Sequence, residues 1–184
     1  MKKVCVLLAE GFEEVEALTV SDIMRRAKVS CDLISIKDKK VTSSHGVTVE
    51  ADKLLDDDME YDLIVLPGGM PGATNLRDDE RVIKILKKQN KEGKLIGAIC
   101  AAPIVLGKAG LTDGRKITSY PGYEDELPNC DYSEEAVVVD GNIITSRGPA
   151  TAMAFSYKLL EMLGYSHEVD AIASGMLYKM FIER

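Results

Sequence analysis

Cys100 stands where a short apolar run, residues 95–99, meets Ala101-Ala102-Pro103. The run has the length and composition of a strand buried on both faces. Residues 102–109 read as a helix with Pro103 in its first turn, where the missing N–H costs nothing. Gly110 suits its C-terminal end. A cysteine at such a corner sits at the positive end of a helix dipole, which favours a thiolate. Hydrolases place a nucleophilic serine on the same kind of corner. The competing reading is inert core filler, because free cysteine is among the most buried residue types.

A reactive sulfur needs help. A cysteine of pKa near 8.5 is only about 3% thiolate at pH 7. A helix N-terminus contributes at most ~2 kcal/mol, or roughly 1.5 pKa units, which leaves the thiol about half ionised. Glu16 is the candidate partner. With Val20, Ile23 and Ala27 it falls on one face of a helix predicted over residues 13–28, and the other three residues are apolar. Glu16 therefore points toward the sheet, where a carboxylate is costly unless hydrogen-bonded or protonated. An ionised Glu16 would oppose thiolate formation; a protonated one donating to sulfur would promote it, and the two groups would titrate as a pair. The alternative is an edge residue snorkelling to water. Glu13 and Glu14 read as ordinary acidic residues at a helix start.

Gly68 and Gly69 follow another unbroken apolar run, residues 63–66. Glycines there let backbone N–H groups approach a ligand closely. An oxyanion site could form from the Gly69 and Ala101 N–H groups; the plainer reading is a tight turn. No G-K-[ST] follows, so this is not a phosphate loop, and the pattern is not G-x-G-x-x-G. His45 could act as a general base, but it and His167 read better as surface imidazoles. The stripe of Ala173, Met176, Leu177 and Met180 reads as packing.

The elements that must position these residues alternate. Strands are predicted over residues 3–8, 30–36, 63–66, 95–99 and 116–120. Two short strand-like pieces flank a turn at His45-Gly46. A hairpin is read at 137–145 around Asp140-Gly141-Asn142. Helices are predicted over 13–28, 79–92 and 102–109, then from the segment 146–149 through 163, and finally over 167–181. Strands alternating with helices give a mostly parallel sheet covered on both faces, with ligands gathering at the C-terminal strand ends. The loops after Ala9, after Leu66 and at Cys100 all fall there.

Composition narrows the function classes. The 184 residues suit one domain, 1–184, with a full core. The net charge of −7 argues against a nucleic-acid footprint, which would be basic. No apolar run is long enough to span a bilayer. The basic start and short apolar run of residues 1–9 read as a first strand rather than a signal peptide, so a cytoplasmic location is expected. Cys5, Cys31, Cys100 and Cys130 show no C-x-x-C spacing, and two scattered histidines suggest no metal site.

Four segments carry a family resemblance: residues 9–16 (AEGFEEVE), 66–72 (LPGGMPG), 98–103 (AICAAP) and 145–149 (TSRGP). Together, in this order, they resemble the ThiJ/PfpI superfamily, most closely its Parkinson-disease-protein-seven (DJ-one) branch, over nearly the whole chain. The resemblance implies an α/β flavodoxin-like three-layer sandwich and a homodimer. It implies that Cys100 is an elbow cysteine readily oxidised to a sulfinate, with Glu16 hydrogen-bonded to its sulfur. Gly68, Gly69 and Ala101 would face the pocket, and Gly148 and Pro149 would lie near it. Some relatives carry a histidine directly after the cysteine, in a protease-like triad; here that residue is Ala101. Others carry one in a later loop, where Tyr120 stands here. Hydrolysis that needs an imidazole is therefore disfavoured.

The resemblance thus implies a cofactor-free deglycase or glyoxalase acting on methylglyoxal or its adducts. Cys100 would be the nucleophile and Glu16 the acid/base. The alternative is a redox sensor or stress chaperone that uses oxidation of Cys100 without turnover.

Overall fold

The computed structural model describes residues 2–182, with side chains described through Met180. In chain order the elements are β1 (Lys3–Leu8), α1 (Glu14–Arg26), β2 (Ser30–Ser35), β3 (Lys40–Thr42), β4 (Thr48–Glu50), β5 (Lys53–Leu54) and β6 (Leu63–Leu66). Then come α2 (Gly72–Asp78), α3 (Glu80–Lys91), β7 (Leu95–Ile99), α4 (Pro103–Ala109), β8 (Lys116–Ile117) and β9 (Asp131–Tyr132). The remainder is β10 (Val137–Asp140), β11 (Ile143–Ser146), α5 (Ala152–Met162), α6 (Ser166–Gly175) and α7 (Lys179–Ile182).

The central sheet runs β10-β11-β7-β6-β1-β2-β5. Its pairs are parallel except β10 with β11, the predicted hairpin. The period of two along each strand divides the core. Cys5 and Leu7 of β1, with Ile64 and Leu66 of β6, join one apolar layer with buried residues of α2, α3 and α4. Val4, Val6 and Leu8, with Leu63 and Val65, join the other with buried residues of α1, α5 and α6. Strands buried on both faces are why these runs are unbroken rather than alternating. The result is an α/β three-layer sandwich of flavodoxin-like type.

Four local expectations change. Residues 72–78 form α2, although Pro71, Gly72 and Asn75 read as loop. Gly72 packs so closely that a Cβ on it would lie 2.6 Å from the Phe12 nitrogen, and Ala73 and Leu76 are buried beneath. Strand 116–120 pairs only at Lys116 and Ile117, against Asp131 and Tyr132. The helix expected from 146–149 starts as a 3-10 turn, Pro149–Thr151, before α5. The last helix breaks between α6 and α7, where Leu177 takes a left-handed φ of 60°.

Candidate active site

Cys100 follows the last residue of β7 and has φ 62°, a left-handed conformation that side chains other than glycine rarely adopt. Backbone bonds from both sides hold it there. Its N–H donates to Ser146 O at 3.0 Å, and its carbonyl accepts from Tyr120 N–H at 2.8 Å. The corner places the partly buried thiol at the strand's C-terminal end.

Glu16 comes from α1, and its face is as the helical spacing predicts: the residue is 0% exposed. Oε2 accepts the Gly68 N–H at 2.7 Å. Oε1 is buried without a hydrogen-bond partner. Gly68 has no room for a side chain, since a Cβ would lie 2.6 Å from Cys100 Cβ and 2.9 Å from Glu16 Oε2. Gly69 is a different case. Its φ of +84° favours glycine, and a Cβ would lie 2.5 Å from the Glu13 nitrogen. The backbone N–H groups of Gly69 and Ala101 both act on the Cys100 sulfur.

Burial, reinforced by the charge of Glu13, pushes the Glu16 carboxyl up to about 7, against the opposing pull of the Gly68 N–H and the Cys100 thiol. Burial and then the Glu16 charge push Cys100 up to about 12, opposed by the Ala101 and Gly69 N–H groups. This corrects the expectation of an unusually acidic resting sulfur. The helix tip is weak because α4 has only seven residues and begins at Pro103, beyond Cys100. While Glu16 is ionised, the sulfur keeps its proton. A proton on Oε1 removes the opposing charge and gives that orphaned oxygen a hydrogen to donate toward sulfur.

Tyr120 and Gly148 meet at the mouth. A Cβ on Gly148 would lie 3.3 Å from Tyr120 Cδ2, and Tyr120 is 48% exposed. The Gly148-Pro149 loop is locked by Thr151, whose Oγ1 accepts from Gly148 N–H at 3.1 Å and whose N–H donates to Gly148 O at 2.9 Å. The structure therefore brings Cys100, Glu16, Gly68, Gly69, Ala101, Tyr120 and Gly148 together, with Pro149 next to them in the chain. A cleft of about 690 Å³ opens elsewhere, lined by Ala9, Glu10, Ile36 and Asn75 among others, and does not include Cys100.

Sequence reasoning missed Glu13, Tyr123 and the setting of His45. Glu13 caps α1, accepting Glu16 N–H at 2.7 Å, and is only 6% exposed. Its signal was present: an acidic side chain three residues before an N–H that has no partner within the helix. Tyr123 lies close enough that the Cys100 charge helps raise its phenol, after burial. His45 is exposed, and its Nδ1 lies 3.1 Å from Glu14 Oε2. The four cysteines are free thiols. Among the described residues no helix is long and apolar enough to cross a membrane.

The fold and corner define a class: a flavodoxin-like α/β protein carrying a cysteine on a strained strand-to-helix turn beside a buried glutamate. The chain belongs to the DJ-1/PfpI family, whose model matches residues 2–162. It is 41% identical over 167 residues to protein DJ-1 homolog B of Arabidopsis thaliana, matching 88% of this chain and 38% of that protein. The chain spans less than half the length of that relative and of Arabidopsis homolog A. A protein of Pyrococcus abyssi named a deglycase is 34% identical over 165 residues, which is 88% of this chain and 99% of that one. Among solved structures, oxidized DJ-1 of Toxoplasma gondii superposes with a TM-score of 0.92 at 40% identity, covering 96% of this chain and 98% of that one.

Proposed function

We propose that the chain is a cofactor-free deglycase or glyoxalase for methylglyoxal or its adducts on amines and thiols. The observation that carries this reading is the Cys100–Glu16 pair, in which a partly buried thiol faces a carboxyl whose pKa lies near neutrality. The Pyrococcus relative named a deglycase supports it.

With the pair's single proton on Glu16, the Cys100 thiolate bonds to the aldehyde carbon, and the carbonyl electrons move to oxygen as Glu16 delivers that proton there. The Gly69 and Ala101 N–H groups stabilise the oxygen as charge develops. Glu16, now a carboxylate, takes the proton from the aldehyde carbon and returns it to the neighbouring carbon, while the hydroxyl proton passes from the first oxygen to the former ketone oxygen, giving a lactoyl thioester. Water cleaves that thioester to lactate and frees the thiol. Methylglyoxal plus water thus becomes lactate and a proton, and an adduct additionally releases its amine or thiol. No redox partner enters.

Lactate formation by the purified chain, lost in Cys100→Ala and strongly reduced in Glu16→Gln, is the expected result. Methylglyoxal consumed no faster than by Cys100→Ala would overturn the reading. A second reading, an oxidation sensor or stress chaperone without turnover, is favoured by the donors converging on a partly exposed sulfur, which also suit a sulfinate. The Toxoplasma neighbour is described as oxidized. A cytoplasmic homodimer belongs to the proposal, supported by exposed Val15 on α1 and Val47 beside the β3–β4 turn; light scattering giving monomer mass would remove the dimer.

A further inference from the structure

The β3–β4 turn carries His45 over the first turn of α1. We propose that Glu13, Glu14 and His45 bind a divalent first-row transition-metal cation, with zinc as the best-fitting ion, beside the Cys100–Glu16 site.

One ligand-capable atom from each residue lies within 4.8 Å of the other two. His45 Nδ1 and Glu14 Oε2 are already 3.1 Å apart. Ligands ~2.1 Å from a tetrahedral zinc are about 3.4 Å from one another, so this edge is nearly formed. One imidazole and two carboxylates are an N/O donor set suited to zinc, and three protein ligands leave a position for water.

Glu13 supplies the buried edge of the set. It is 6% exposed, and among the described residues its carboxyl is in no ion pair. One oxygen accepts the Glu16 N–H, and no other side-chain hydrogen bond reaches it. A second carboxyl, Glu14, lies beside it. Buried carboxyls are ordinarily paired or coordinate metals.

The turn holds the histidine in place. Ser44 N–H donates to Phe12 O at 2.8 Å, and Gly11 N–H donates to Thr42 O at 2.8 Å. Ser43 Oγ accepts the N–H groups of His45 and Val47. The His45 side chain is 67% exposed, which leaves an entry path.

The site does not depend on turnover at Cys100. Zinc chloride is titrated calorimetrically into the metal-free full chain and into Cys100→Ser, His45→Ala and Glu14→Gln. The expected result is one zinc per chain in the parent and in Cys100→Ser, with affinity weaker by about tenfold or more in His45→Ala and Glu14→Gln. His45 is exposed on a turn, so its replacement leaves the fold intact. With cobalt(II) as probe, the near-ultraviolet spectrum should lack a thiolate-to-metal charge-transfer band. No saturable binding, binding unchanged in His45→Ala, or binding lost in Cys100→Ser would each overturn the proposal.

Discussion

The amide of Gly68 donates to Oε2 of Glu16 at 2.7 Å, although 52 residues separate the two. This bond ties the loop after β6 to the inner face of α1 and leaves Oε1 of Glu16 as the free end of the carboxyl.

The pH profile of Cys100 alkylation follows from that arrangement. Thiolate can form near neutrality only in the microstate where the remaining proton sits on Glu16, so the parent rate should rise through an inflection near pH 7, the region of the Glu16 carboxyl. Glu16→Gln removes both the acid and the charge that helps hold Cys100 at about 12. The variant should show one titration below 12 and no inflection near 7. Iodoacetamide kinetics from pH 5 to 11 measure both, and an inflection retained in Glu16→Gln would contradict the pairing.

Stability should also depend on Glu16. Its folded pKa of about 7 lies above the ordinary 4.5, so the folded state binds more protons in between. The contribution is fully present below about pH 4 and is lost as pH rises through 7. Relative to Glu16→Gln, the parent should lose roughly 3 kcal/mol between about pH 4 and pH 8. Urea unfolding of both proteins across that range checks the sign.

Gly68→Ala is expected to damage the site more than the fold. Its Cβ would meet Cys100 Cβ at 2.6 Å, and both residues sit on turns pinned by backbone hydrogen bonds, Glu13 N–H to Gly68 O and Cys100 N–H to Ser146 O. Overpacking of this kind costs about 1–3 kcal/mol. A shift of the Cys100 sulfur by even ~1 Å should lower turnover on the order of a hundredfold. Thermal unfolding and lactate formation, measured together, separate the two effects.

Oxidation should be selective. Cys5 and Cys31 are buried away from solvent; access separates them from Cys100 and thiol pKa does not, since burial pushes Cys31 and Cys100 alike up to about 12. Cys130 is partly buried, with its thiol raised by burial and no charge partner that favours the thiolate. Cys100 alone is partly accessible with two N–H groups and a carboxyl converging on sulfur. Mild peroxide followed by mass spectrometry should find sulfinate at Cys100 first. Equal oxidation of the four would remove the special status of this corner.

Tyr120 offers a test of shape. Its ring rests beside Gly148, and its backbone N–H, not its hydroxyl, holds the Cys100 carbonyl. Tyr120→Phe should leave turnover within about twofold. Tyr120→Ala should raise KM for bulky adducts more than for methylglyoxal, with stability changed by less than about 1 kcal/mol.

Much of this architecture follows from the order of residue types. Unbroken apolar runs at β1, β6 and β7 demand burial on both faces, and the helices between them follow from their 3.6-residue periodicity and end signals. The inward face of Glu16 was legible for the same reason, since Val20, Ile23 and Ala27 share it. Local pattern also marks the corner at Cys100 and the left-handed Gly110 that ends α4, with φ 71°. What tertiary structure alone decided is whatever depends on groups far apart in the chain. Helix α2 exists because Gly72 packs against Phe12, not because residues 72–78 favour a helix. Gly68 must be glycine because Cys100 and Glu16 occupy the space around it. The sulfur is not acidic at rest because desolvation and one buried carboxyl outweigh a seven-residue helix. His45 meets Glu14 across 31 residues of sequence. Periodicity reports which face of an element is apolar, but charge, clearance and desolvation are properties of neighbours, and neighbours are assembled only by folding.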